Sequence, residues 1–238
     1  YKLNSSMEIL PGGAVLLRES NTMVVADLHL GCEASLEHEG LSIPRLQTRI
    51  IEQYLVETVD SVRPDALVVA GDLKHNFSRN LVQEWEDVSR FVKKIRALTP
   101  VKVVRGNHDN FLSSILREFR IPLMAATESG GVRIVHGHVG DPSPVPTVMG
   151  HLHPSIGLRD RVGVSVKDRC FLYSERHRML ILPALSLVAG GLDVVGQVDS
   201  DRASPLLPED GLASFVPSLF SECRPLKFPT VLLVDKFE

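Results

Sequence analysis

The stretch Val101-Lys102-Val103-Val104-Arg105-Gly106-Asn107-His108-Asp109 decides how this chain is read. Three valines in four residues behind Pro100 make a short strand. A glycine follows, then three side chains that bind ions or move protons. Four more clusters share this plan. Asp27-Leu28-His29 follows the apolar run Thr22–Ala26, and Gly71-Asp72 follows Ala66–Ala70. His136-Gly137-His138 follows Gly131–Val135, and Gly150-His151-Leu152-His153 comes shortly after. Six of the nine histidines fall inside these five clusters.

Around the clusters, the front half alternates strand and helix. Ala14–Leu17 and Thr22–Ala26 read as a hairpin, and Ala66–Ala70 as a strand buried on both faces. Leu41 to Val59 has helical spacing, with Pro44 suited to a first turn. Leu81 to Leu98 places Trp85, Val88, Phe91, Val92 and Ile95 on one helical face, and Phe111–Phe119 is a short helix. The back half is strand-rich, with strands at Gly131–Val135, Met179–Leu182 and Thr230–Val234. Ser200 to Pro229 lacks periodicity and reads as an irregular excursion within one domain of residues 1–238. The fold class is α/β, with sheets sandwiched between helices.

The composition is that of a globular protein, 44% hydrophobic and 23% charged. A net charge of −3 gives no global basic field, so nucleic-acid binding must rest on a local patch. Three scattered cysteines form no disulfide framework, which points to a reducing, cytoplasmic setting. Cys32 reads as a buried filler in preference to a thiol ligand. Residues 1–6 are polar and carry no signal peptide; Met7 reads as the natural start, with residues 1–6 an artificial extension. The apolar stretch Met179–Val195 is broken by Pro183, Gly190, Gly191 and Asp193, so no membrane span is expected.

Strand ends in open α/β sheets converge on one crevice, so clusters distant in sequence can meet there. Asp27 and His29 share a side if the strand continues through them, and His151 and His153 repeat the pattern. Gly71, Gly106 and Gly150 each precede a cluster residue and let the backbone approach closely. Carboxylate, amide and imidazole ligands suit divalent Mn, Fe, Co, Ni or Zn. Seven or eight such ligands are too many for one ion and right for two sharing a carboxylate. That arrangement hydrolyses phosphate esters.

In this order the motifs resemble the calcineurin-like metallophosphoesterase superfamily. Ala26-Asp27-Leu28-His29-Leu30-Gly31, Gly71-Asp72-Leu73-Lys74-His75 and the late Leu182-Pro183-Ala184 with Ala189-Gly190-Gly191 are similar to the SbcD-related archaeal phosphoesterases. Those are kin of the repair nuclease SbcD and of the ligase-associated repair endonuclease PdeM. The resemblance spans roughly residues 20 to 195. It implies a four-layer α/β/β/α sandwich of the metallophosphoesterase type. It also implies that Asp27, His29 and His153 hold one ion, that Asn107, His136 and His151 hold the other, and that Asp72 bridges them. Two divalent ions, Mn foremost, and a homodimer follow from the same likeness. The short segment after Asp193 leaves little room for a DNA-gripping cap domain.

His108, beside a ligand but not needed as one, is the expected general acid. Asp109 is expected to orient it through the other ring nitrogen, or to cap the helix at Phe111–Phe119, or both. For His138 a phosphate contact and a structural role stay open, and His75 is placed to reach substrate from the loop after Asp72. Arg105 is expected to leave its strand toward solvent. The basic stretch Arg159 to Arg178 reads as a solvated sheet face, the alternative being a track for a phosphate backbone. These readings lead to a dinuclear, Mn-dependent phosphodiesterase, an endonuclease on single-stranded DNA in repair. The alternative is a small-molecule phosphoesterase acting on cyclic nucleotides, nucleotides or sugar-nucleotides. A non-catalytic scaffold should have lost ligands, and all seven positions are filled.

Overall fold

The structure, a computed structural model, describes residues 1–41, 43–159, 165–194, 204–220, 225–227 and 230–231. Six strands lie side by side in chain order in a first sheet: β1 (Met7–Ile9), β2 (Val15–Leu17), β3 (Thr22–Val25), β4 (Ala66–Ala70), β5 (Val101–Val104) and β6 (Leu123–Met124). β2 and β3 form the expected hairpin, and β3 to β6 run parallel. Helices α1 (Cys32–His38), α2 (Gln47–Val62), α3 (Val82–Arg96) and α4 (Leu112–Glu118) are interleaved with these strands.

Side chains alternate across a strand, so a strand covered on both faces is apolar throughout. β3 shows this. Met23 and Val25 pack with Leu55, Phe91 and Ile95 of the helices, while Val24 packs with Val132, Val148 and Leu180 of the second sheet. Val88, Phe91, Val92 and Ile95 recur at helical spacing, which fixes the face that α3 buries. Burying each of these side chains is worth roughly 1.5–3 kcal/mol. Glu84 sets where α3 starts: its Oε2 accepts the Leu81 N–H at 3.0 Å.

The second sheet holds β7 (Thr127–Ser129), β8 (Val132–Val135), β9 (Thr147–Met149), β10 (Pro154–Arg159), β11 (Ser165–Ser174), β12 (Met179–Ile181) and β13 (Leu192–Asp193). Their spatial order is β13-β10-β11-β12-β9-β8-β7. Two more strands, β14 (Val216–Phe220) on β11 and β15 (Pro225–Lys227) on β14, extend it. The two-sheet sandwich with helices on the first sheet is the metallophosphoesterase fold. The far face of the second sheet is covered as well, with Val231, helical where it is described, in its core cluster. Leu206, Leu212 and Phe215, from turns and not from a helix, cover Met149, Leu172 and Ile181 there.

Other departures have local causes. The helix expected over Leu41 to Val59 runs Gln47–Val62, because Pro44 sits in a tight turn ahead of it and accepts the Leu46 N–H. α1 has no apolar periodicity; it buries Cys32, Glu33, Ala34 and Ser35. The stretch read as irregular at 200–229 carries β14 and β15. Thr230 and Val231 are not in a strand, and 232–234 lie outside the described residues. Among the described residues no helix is long and apolar enough to cross a membrane.

Candidate metal centre

The parallel strands β3, β4 and β5 end at Val25, Ala70 and Val104, and β8 and β9 end at Val135 and Met149. The five clusters therefore leave both sheets at one end of the sandwich. Backbone bonds stitch the exits together. Asp27 N–H donates to Gly71 C=O at 3.1 Å, His29 N–H to Asp72 C=O at 2.9 Å, and Gly150 N–H to His136 C=O at 3.0 Å.

The strand does not continue through Asp27 and His29, as the two-residue spacing suggested. Both are left-handed, with φ of 56° and 46°. Asp72 (48°), His151 (71°) and His153 (47°) share that conformation. L-residues adopt it at a cost of roughly 1–3 kcal/mol each, and such strain clusters at functional sites. His151 and His153 also part company: His153 joins Asp27 and His29, whereas the His151 ring lies against His136 with centroids 4.9 Å apart.

Each carboxylate has one oxygen fastened and one left for the cluster. Asp27 Oδ2 accepts the His151 N–H at 2.9 Å, and Asp72 Oδ1 accepts the His108 N–H at 2.8 Å. The free Asp27 Oδ1 is buried and accepts no hydrogen bond among the described residues. It faces His153 Nε2 at 3.4 Å. His29 Nε2 is 3.4 Å from His153 Nε2 and 3.8 Å from Asp72 Oδ2. Beside this group, His136 Nε2 lies 3.0 Å from Asn107 Oδ1 and 3.5 Å from Asp72 Oδ2. His136 Nδ1 is turned to the Ala70 carbonyl at 3.0 Å. Ring nitrogens thus face carboxylate and amide oxygens at two neighbouring points, and Asp72 Oδ2 belongs to both. The donor set fits two divalent cations.

Burial pushes the His29 ring down to about 3 against the pull of Asp72 and Asp27, and burial with the nearby His136 charge pushes His151 down to about 4. Both are neutral near pH 7, the form that ligates a metal. Burial also lowers His136, but its hydrogen bond to Asp72 and the charges of Asp27 and Asp72 raise it, on balance, to about 9. Burial raises the Asp72 carboxyl; the His136 hydrogen bond and charge, with His29, outweigh that and leave it below the usual carboxylate range. Glycines make the room. A Cβ on Gly106 would lie 2.1 Å from Asp72 Oδ1, on Gly71 2.2 Å from His136 Nδ1, and on Gly150 2.5 Å from Asp27 Oδ2.

Of the remaining site residues, one is placed otherwise than expected. Asp109 does not meet the His108 ring. Its oxygens accept the N–H groups of Leu73, Lys74 and Gly106, and it does not cap α4. The His108 Nδ1 partner is instead the His75 carbonyl. The His75 ring stands behind His29, with Nδ1 atoms 3.3 Å apart. His138 borders the second donor group, its centroid 5.1 Å from that of His136. Of the basic stretch, 160–164 lie outside the described residues; Arg169 donates to the carbonyls of Ala184, Leu185 and Ser186, a structural use. Cys32 is buried, and burial beside Glu33 pushes its thiol up to about 12, which leaves no nucleophile.

Sequence reasoning missed three supports. Gln47 Nε2 donates to the His29 carbonyl at 3.0 Å, and its Oε1 accepts from Ser186 Oγ (2.7 Å) and the Leu187 N–H (2.9 Å). The Lys74–Glu84 pair is wholly buried at 3.9 Å, and Glu84 Oε1 accepts the N–H groups of His75 and Asn76. Phe77 and Phe111 stand 61% and 59% exposed, the Phe77 ring 6.2 Å from that of His108. Exposed phenylalanines next to polar motifs carry no periodic signal by which a sequence reveals them.

A model of the calcineurin-like phosphoesterase family matches residues 20–182, which contain all five clusters. The chain belongs to the calcineurin-like phosphoesterase family. That family is one of phosphoesterases, and it works with divalent metals. The chain is 36% identical over 110 residues to the DNA double-strand break repair protein Mre11 of Aeropyrum pernix. It is 30% identical over 98 residues to mouse transmembrane protein 62. These alignments cover 44% and 36% of the chain, and only 24% and 15% of those relatives. A crystal structure of the Pseudomonas putida nuclease MPE shares the fold, with a TM-score of 0.64 and 20% identity over 92% of this chain and 94% of that one.

Proposed function

We propose that this calcineurin-like phosphoesterase is a Mn-dependent phosphodiesterase that cuts single-stranded nucleic acid, in a repair setting. The observation that carries the dinuclear chemistry is the convergence of two donor groups on Asp72 Oδ2. Asp27, His29 and His153 would hold one ion, and Asn107, His136 and His151 the other. Two such ions supply Lewis acidity and an activated water at neutral pH. The chain's own groups do the rest. The His75 carbonyl orients the His108 ring through Nδ1, so that in the imidazolium form Nε2 points its proton to the departing oxygen. Asp109 positions the loop that carries His108 by gripping the Gly106 and Lys74 N–H groups. His75 backs His29 from the side away from the donor group.

Two features favour unpaired nucleic acid. Exposed Phe77 and Phe111 offer faces on which bases stack. They are mounted on linked loops, for Asn80 Nδ2 donates to the Phe111 carbonyl at 3.1 Å and to Ser114 Oγ at 3.0 Å. The nuclease MPE and the repair protein Mre11, named above, also lie on the side of nucleic acid. The test is nicking of circular single-stranded DNA with Mn, run beside His108→Ala. The parent should nick, and the variant should keep its metal but lose about 10²–10⁴-fold of turnover. A parent active only on nucleotides or model esters defeats the substrate reading. Undiminished turnover in the variant defeats the acid.

A further inference from the structure

Beside Asn107 the centre opens into a groove of about 370 Å³, walled by Arg105, Asn107, Asn110, His138 and Val139. Among the described residues no carboxylate lines it, although the chain carries a net charge of −3. Arg105 leaves β5 exposed, as the sequence suggested, but it is not adrift in solvent. Its Nη2 donates to Asn110 Oδ1 at 2.8 Å, and its N–H donates to the Met124 carbonyl at 2.7 Å. Across the groove the His138 ring is held among His136 and His151, its centroid 6.1 Å from that of His151. His138 Nδ1 is buried with no hydrogen-bond partner among the described residues. Val139, 62% exposed, forms an apolar lip. An arginine fork pinned at one nitrogen, an imidazole in the wall and an apolar lip suit a phosphate with a sugar attached.

We propose that this groove seats the nucleotide flanking the scissile bond, with Arg105 and His138 on its phosphate and Val139 against its sugar. The inference rests on the nucleic-acid reading above and deepens it. The groove selects a second phosphate along the chain, so the enzyme prefers a polynucleotide to an isolated diester.

The experiment compares Arg105→Gln, Arg105→Lys and the parent, all loaded with Mn, on a single-stranded oligothymidylate and on bis(p-nitrophenyl) phosphate. Arg105→Gln is expected to lose at least tenfold more kcat/KM on the oligonucleotide than on the small diester, mainly through KM. Arg105→Lys should recover part of that loss. The slope of log(kcat/KM) against log salt should shrink by about 0.7 for the lost phosphate contact. Equal losses on both substrates, or an unchanged salt slope, overturn the groove assignment while leaving the nuclease reading intact. A parent that hydrolyses bis(p-nitrophenyl) phosphate but no oligonucleotide overturns the nuclease reading, and the groove assignment with it.

Discussion

At position 106 a methyl group would meet Asp72 Oδ1 at 2.1 Å and the Asp72 nitrogen at 2.3 Å. Neither atom can retreat cheaply: the oxygen holds the His108 N–H, and the nitrogen is backbone. Gly106→Ala should therefore displace the shared carboxylate and weaken metal binding by about 10–100-fold, the scale seen when a ligand loses its support. Titration calorimetry with Mn reads this directly, with Gly190→Ala as control, since a Cβ there meets nothing within 4 Å. Binding equal to the control would show that the carboxylate has more play than its packing suggests. The residues of this centre were legible one by one, because Asp, Asn and His behind apolar runs are rare and chemically pointed. How they aim was not. Spacing predicted extended pairs at 27/29 and 151/153, and the left-handed backbone at all four sends His151 and His153 to different donor groups. Asp109 was misread for a related reason: its three backbone partners lie on two loops that no local pattern relates.

At the scale of elements, Gln47 joins pieces remote in sequence. It opens α2, holds the loop after β3 through the His29 carbonyl, and holds Ser186 to Val188, the loop after β12. That second loop also donates the Ser186 N–H to the Asp27 carbonyl and sets Gly190 C=O 3.4 Å from His153 Nδ1. One amide thus braces all three residues of the first donor group. Gln47→Leu leaves buried donors and acceptors unmet, at about 1–3 kcal/mol each. The expected result is a lower Tm together with selective loss of one of two bound Mn equivalents by elemental analysis. Loss of both ions, or of neither, would contradict the assignment. Helix periodicity located α2 and α3 well because their apolar stripes face the first sheet. It placed the start of α2 too early, because what fixes that start is a polar bridge and not a stripe.

The molecule as a whole is two sheets back to back with unequal coats. Helices cover the first; on the second, turns bearing Leu206, Leu212 and Phe215 close over Met149, Leu172 and Ile181. A segment without period read as an irregular excursion in sequence, yet Phe215 is fully buried. Phe215→Ala should cost about 3–5 kcal/mol by urea unfolding, a core-sized penalty. A cost near zero would mean that the segment only rests on the sheet. Strand-helix alternation was enough to give the sandwich; this coat was not legible, because irregular backbone buries side chains at no fixed interval.

Asp27, His29, Asp72, His151 and His153 all sit in a backbone conformation that resists them. Much of the molecule's tension is therefore gathered at its working end. Glycine or asparagine at these places would let the chain relax. A lineage bred for endurance alone would drift toward a sturdier, idle relative; keeping the catalyst means keeping the discomfort.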